Sequence, residues 1–147
     1  MLQFIEITDS TGKIVQSYWL ARAESVHRQL RTELGSDYVA ELSQVFANGA
    51  RMSVAINDDL VVGLAVWRVV VNTYEGRRFY IDDLVTDESS RSQGVGKALL
   101  ANLEQLALQL KCAVLTLDSG TQRTRAHAFY FREGMHIPSF CFRKKLS

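Results

Sequence analysis

The stretch from Ile81 to Ala98 constrains this chain most. Phe79 to Thr86 reads as a strand, Asp87 to Gln93 as a polar loop, and Gly94-Val95-Gly96 opens a helical run. That run carries Val95, Leu99, Leu103, Leu106 and Leu110. Their spacing places one apolar stripe on an amphipathic helix over Gly94–Leu110. A strand that feeds through glycines into such a helix requires helices packed on a sheet. It also has chemistry of its own. The first turn of a helix carries backbone N–H groups without intrahelical partners, and the helix dipole adds positive potential. Glycines at 94 and 96 let an anion approach that backbone, as at a phosphate site, and Lys97 and Arg91 add charge. Two common phosphate loops are excluded. There is no G-x-x-x-x-G-K-[ST], and the third glycine of G-x-G-x-x-G would fall where Leu99 stands. A plain glycine turn between strand and helix is the alternative.

The rest of the chain supplies the partners for this unit. Leu2–Ile7 reads as a strand and Asp9–Gly12 as a turn. Trp19–Leu34 has a helical pattern with Gly35 as its stop, and Asp37–Phe46 a second one with Val39, Leu42, Val45 and Phe46 on one face. Met52–Ile56, Leu60–Tyr74 and Phe79–Thr86 form an antiparallel meander through two hairpins. Cys112–Leu117 is a short strand of the buried kind. Thr121 or Thr124 caps a last helix that Gly134 ends. Ile137–Leu146 is expected as a closing strand, with Pro138 at an edge or bulge. The order is β-α-α-β-β-β-α-β-α-β, a mixed sheet of the α/β or α+β class.

Composition narrows the function. At 147 residues the chain suits one domain, spanning 1–147. A net charge of +1 argues against bulk nucleic acid as the main partner. No apolar run reaches the roughly 18 residues of a membrane span. The start of the chain lacks the basic-then-apolar pattern of a secretory signal. Cys112 and Cys141 make neither a disulfide framework nor a cysteine-rich zinc site, and the three histidines have no metal-ligand spacing. A cytoplasmic protein with reduced thiols and no metal is the expectation. Charge is uneven: residues 1–76 hold six basic and nine acidic side chains, residues 77–147 eleven and seven. The first part favours a cationic ligand and the second an anionic one.

Arg91-Ser92-Gln93-Gly94-Val95-Gly96 resembles the R/Q-x-x-G-x-G/A signature of the GNAT superfamily of N-acetyltransferases. Ala126 to Met135 resembles the family's A-x-x-F-Y-x-x-x-G-F segment, and the element order matches over roughly the whole chain. The resemblance implies a mostly antiparallel sheet of six to seven strands flanked by about four helices. It implies an acyltransferase with acetyl-CoA as cosubstrate. Gln93, Gly94, Val95, Gly96, Lys97 and Ala98, with Arg91, would hold its pyrophosphate. The backbone of Leu84, Val85 and Thr86 would pair with pantetheine along a splayed strand. Three positions depart from the pattern: Arg123 replaces a common asparagine, Met135 a phenylalanine and Thr86 a valine. Dimers are common among such relatives, and an exposed last strand could pair two copies.

Acetyl transfer to an amine needs an acid for the leaving thiolate and a route for the amine proton. Tyr130 matches the family tyrosine that protonates the thiolate. An acidic pair like Asp82-Asp83 occurs in diamine N-acetyltransferases of this superfamily, which implies that Asp82 binds an ammonium group and relays its proton. Strand alternation sends the two aspartates to opposite faces, Asp82 with Tyr80, Leu84 and Thr86. Pairing of one aspartate with Arg77 or Arg78 is the structural alternative. His27 and His136 show no partner pattern, His127 lies near Tyr130, and Cys112 reads as a small core residue. The acceptor expected from these features is a primary amine on a small cationic molecule: a polyamine, amino sugar or amino acid derivative. Two alternatives remain. One is a peptide or protein acceptor, disfavoured because Tyr80 stands where histone-lysine acetylating relatives carry glutamate. The other is a non-catalytic acyl-CoA-binding sensor.

Overall fold

The computed structural model describes residues 1–147. Its elements are β1 (Gln3–Glu6), α1 (Ser17–Leu30), α2 (Tyr38–Ala47), β2 (Arg51–Asn57), β3 (Leu60–Asn72), β4 (Gly76–Thr86), a 3-10 turn at Glu88–Ser90, α3 (Val95–Gln109), β5 (Val114–Leu117) and α4 (Thr124–Arg132). The sheet has five strands in the order β1-β2-β3-β4-β5, with β1 through β4 antiparallel. The fold is mixed α/β, with one or two strands fewer than the family resemblance implies.

Two compact units divide the chain, residues 1–116 and 117–147. In the first, apolar side chains fill both faces of the meander. Leu20, Ala23 and Val26 of α1 and Leu42 and Phe46 of α2 are buried with Met52, Val54, Leu64 and Val66. Leu99, Leu100 and Leu103 of α3 are buried as well. The approach of α3 to β3 is close: a Cβ added at Gly63 would lie 3.2 Å from Val95 Cγ1 and from Val85 O. Glycine is required there for space. The hairpin between β2 and β3 turns through Asp58 and Asp59, both at positive φ (49° and 63°), as a two-residue turn demands.

Helix ends differ from the sequence reading for local reasons. Asp37 caps α2 by accepting from Ala40 N at 3.0 Å, so the buried stripe begins at Tyr38 and Val39 is exposed. α1 ends at Leu30, well before Gly35. Arg31 turns out of the helix as its C-cap, and its side chain goes to β4.

In the second unit, α4 has no buried residue, and Gly134 ends it with φ +87°. The cap is Arg123, without a side-chain hydrogen bond, rather than a threonine. The expected strand at Ile137–Leu146 does not form. Alternation alone cannot make a strand without a partner edge, and Pro138 removes a donor. Phe140, Phe142 and Leu146 are exposed.

Candidate active site

α3 opens at Gly94, which sits in the left-handed region at φ +81° with no side-chain cap. The first helical bond closes from Ala98 N to Gly94 O at 3.0 Å. The N–H groups of Val95, Gly96 and Lys97 therefore have no carbonyl within the helix to donate to. Ser92 also has positive φ, 65°, so two left-handed residues shape three positions of the loop. Backbone turns of this kind aim consecutive N–H groups at one point and make an anion-binding concavity. Val95 and Leu99 are buried and fix the helix start, while Arg91, Gln93 and Lys97 are exposed around it. Nothing lies within 4 Å of a Cβ at Gly94, so its requirement is the backbone angle.

The end of β4 leads into this loop. Leu84, Val85 and Thr86 pair on one edge with Ala65, Leu64 and Gly63 of β3. β5 enters the sheet beside Arg77, where Ala113 N donates to Arg77 O at 2.8 Å, and is only four residues long. It does not reach Leu84. The second backbone edge of Leu84–Thr86 is thus left without a strand.

A bulge separates the two halves of β4. The register passes from Trp67↔Ile81 to Val66↔Asp83, leaving Asp82 without a partner in β3. The extra residue resets the alternation, so the expectation that Asp82 and Asp83 face opposite sides fails. Asp82 meets Arg68, whose Nε lies 3.1 and 3.2 Å from its two oxygens and whose Nη2 lies 2.5 Å from Oδ2. Nη1 of Arg68 donates to Asn48 O at the end of α2. The partner of Asp82 is therefore Arg68, and neither Arg77 nor Arg78.

Asp83 enters a denser network. Its Oδ2 is 2.7 Å from His27 Nε2, and its Oδ1 accepts from Arg31 Nε at 2.7 Å. Arg31 Nη2 donates to Asp82 O at 2.9 Å. His27 Nδ1 lies 2.8 Å from the Tyr38 hydroxyl. Burial pushes the Asp83 carboxyl up, but the His27 hydrogen bond and charge and the Arg31 guanidinium outweigh it and hold it below the usual range. Burial raises the Tyr38 phenol far above its ordinary value, with the Glu24 and Asp83 charges adding. An ionised Asp83 can only accept, so His27 Nε2 donates to it, while Nδ1 is held by the Tyr38 hydroxyl. Sequence reading missed this network. Its partners lie 11 and 56 positions from His27; the available signal was the i, i+4 spacing of His27 and Arg31 on one helix.

On α4, burial raises the Tyr130 phenol, partly offset by the Arg123 charge. It stays protonated at neutral pH. His127 is tied locally, with Nε2 2.8 Å from Gly120 O and 3.1 Å from Ser119 Oγ. Cys112 is half-buried, and burial raises its thiol, the opposite of an activated nucleophile. No helix is long and apolar enough to cross a membrane.

Residues 13–135 match the Acetyltransferase (GNAT) family. The chain is 32% identical over 127 residues to the uncharacterized N-acetyltransferase YhdJ of Bacillus subtilis (strain 168), covering 84% of this chain and 89% of that one. It is 29% identical over 70 residues to the thialysine N-epsilon-acetyltransferase of Bos taurus, 48% of this chain and 41% of that protein. Among solved structures, the aminoglycoside N-acetyltransferase AAC(6')-Iy in complex with CoA is similar in fold. Its TM-score is 0.80 at 16% identity, over 99% of this chain and 96% of that one. Profile, relative and fold agree with the glycine-gated start of α3: the chain belongs to the GNAT family of acetyltransferases.

Proposed function

We propose that the protein transfers the acetyl group of acetyl-CoA directly to a primary amine of a small cationic molecule. The observation that carries this reading is the N-terminus of α3. Gly94 at φ +81° leaves the amides of Val95, Gly96 and Lys97 free to receive a diphosphate, with Arg91, Gln93 and Ala98 beside them. The uncovered edge of Leu84–Thr86 suits the amide groups of a pantetheine arm, which would bind it as a short added strand.

The chemistry follows from these parts. The amine nitrogen attacks the thioester carbon, the C–S bond breaks, and the thiolate takes the proton of Tyr130. The nitrogen sheds its remaining surplus proton to solvent as the amide forms, and Tyr130 recovers its own from solvent. The ammonium proton must leave before attack, and Asp82 receives it through water. Arg68 holds the Asp82 carboxylate at one side, and a carboxylate offers about four acceptor positions. Small amines are favoured as acceptors by two relatives whose names specify thialysine and aminoglycosides. The exposed Phe140 and Phe142 suit pairing of two copies, which light scattering would read as twice the chain mass.

The test is thiol release from acetyl-CoA in the presence of polyamines, aminoglycosides, amino acids or lysine peptides. Release with a small cationic amine supports the reading. Release only with peptides moves the acceptor to protein. Saturable acetyl-CoA binding with no release in any arm overturns it in favour of a sensor.

A further inference from the structure

One helix reaches β4 on both sides of Leu84–Thr86. On the near side, His27 and Arg31 hold the Asp83 carboxylate, and Arg31 also holds the carbonyl of Asp82. On the far side, Gln29 Nε2 donates to Asp87 Oδ1 at 2.7 Å, and Gln29 Oε1 accepts from Glu88 N at 2.9 Å. A single amide thus fixes both the side chain and the backbone of the residues that leave the strand. Asp87 is fixed through its backbone as well, its N donating to Val62 O at 2.8 Å. Between these anchors, Leu84–Thr86 has a strand partner on one edge only.

We propose that His27, Gln29 and Arg31 are positioning residues for acetyl-CoA. They bracket the open edge of Leu84–Thr86 and the turn into the Gly94 loop, so that both are held in their binding geometry before the ligand arrives. This rests on the function proposed above. The physical need is clear. An isolated backbone edge that must accept a ligand has no second strand to hold it straight. Fixing it in advance removes the ordering cost from binding. Polar contacts suit the task better than apolar packing, because hydrogen bonds fix direction as well as distance. The same three side chains leave the ligand-facing groups free, since their hydrogen bonds go to residues 38, 82, 83, 87 and 88, and none to 84–86.

The bracket can be opened where the core is not disturbed. Gln29 is half-buried, so Gln29→Ala removes two hydrogen bonds without leaving a large cavity. Arg28→Ala is the control. Arg28 sits on the same helix but holds Glu24 and the carbonyls of Leu34 and Gly35. Acetyl-CoA binding is measured by calorimetry on the whole chain, alongside amide exchange of Leu84–Thr86 and steady-state kinetics with any acceptor found. Gln29→Ala is expected to weaken acetyl-CoA about tenfold, the scale of one or two lost hydrogen bonds. Exchange at Leu84–Thr86 should rise, and KM for acetyl-CoA should rise with kcat little changed. Arg28→Ala should bind as wild type does. Equal affinity of wild type and Gln29→Ala overturns the bracket while leaving acetyl-CoA as the ligand. Equal weakening in both variants overturns it too, by making the effect one of general helix stability. Failure of the wild-type chain to bind acetyl-CoA at all sinks the cofactor reading, and the bracket with it.

Discussion

His27 Nε2 lies 2.7 Å from Asp83 Oδ2, joining a fully buried residue of α1 to the strand that ends at the candidate cofactor loop. His27 is 2% exposed and Asp83 14%, so water has little access to the contact. The Arg31 guanidinium balances the Asp83 charge from the solvent side. The group is satisfied as a whole and costly to open in part.

Asp83→Asn is expected to destabilise the fold by about 3–5 kcal/mol, the scale for breaking one side of a buried pair. The pH sign follows from the depressed Asp83 carboxyl. Its contribution is full above the ordinary carboxylate value and is lost as pH falls through the lower folded one. Chemical denaturation at a series of pH values from neutral to strongly acid reads both effects. The wild-type curve should fall more steeply below about pH 4 than that of Asp83→Asn. Parallel curves would remove Asp83 from the acid response.

Gly94→Ala places a Cβ at φ +81°. The cost to stability is about 1 kcal/mol, from strain in the left-handed region. The larger effect is expected on acetyl-CoA, whose KM should rise at least tenfold as the loop relaxes and its amides lose their aim. Thermal melting and steady-state kinetics on one preparation separate the two.

Tyr130→Phe should lower kcat by about a hundredfold, the usual worth of a positioned general acid, with acetyl-CoA affinity unchanged. Burial raises the phenol, so it is protonated at neutral pH and loses its proton only on the alkaline side of the ordinary tyrosine value. The wild-type rate should therefore decline there, and the Phe variant should lack that decline. A Phe variant with wild-type turnover removes Tyr130 from the mechanism.

Asp82→Asn keeps the shape beside Arg68 but removes the charge that would receive a cationic amine. The expected loss in kcat/KM is about tenfold for a cationic acceptor and smaller for a neutral amine. The comparison is made across a pH series with both acceptors. Identical losses for the two amines would assign Asp82 to holding Arg68 alone.

The sequence revealed whatever rests on local pattern. The meander, the α3 stripe and the glycine start of α3 are all periodic or local, and each stands within a few residues of its expected place. Three features were not legible. The β4 bulge depends on the pairing of Val66 and Trp67 with Ile81 and Asp83, so alternation alone put Asp82 and Asp83 on opposite faces. The His27–Asp83 contact spans 56 positions, and no spacing rule reaches that far. The closing strand failed in the other direction. Ile137, Phe140 and Phe142 carry a strand's residue types, but a strand also needs an edge to join, which composition does not report.

Acetyl transfer by this chain depends on the α3 loop gripping a diphosphate. Calorimetric titration of acetyl-CoA and of acetyl-pantetheine, which has the thioester arm but no diphosphate, tests this directly. Saturable binding of acetyl-CoA that weakens as salt is added is expected, with a loss of at least a hundredfold for the truncated ligand. Equal binding of the two ligands, or no binding of acetyl-CoA, would contradict it.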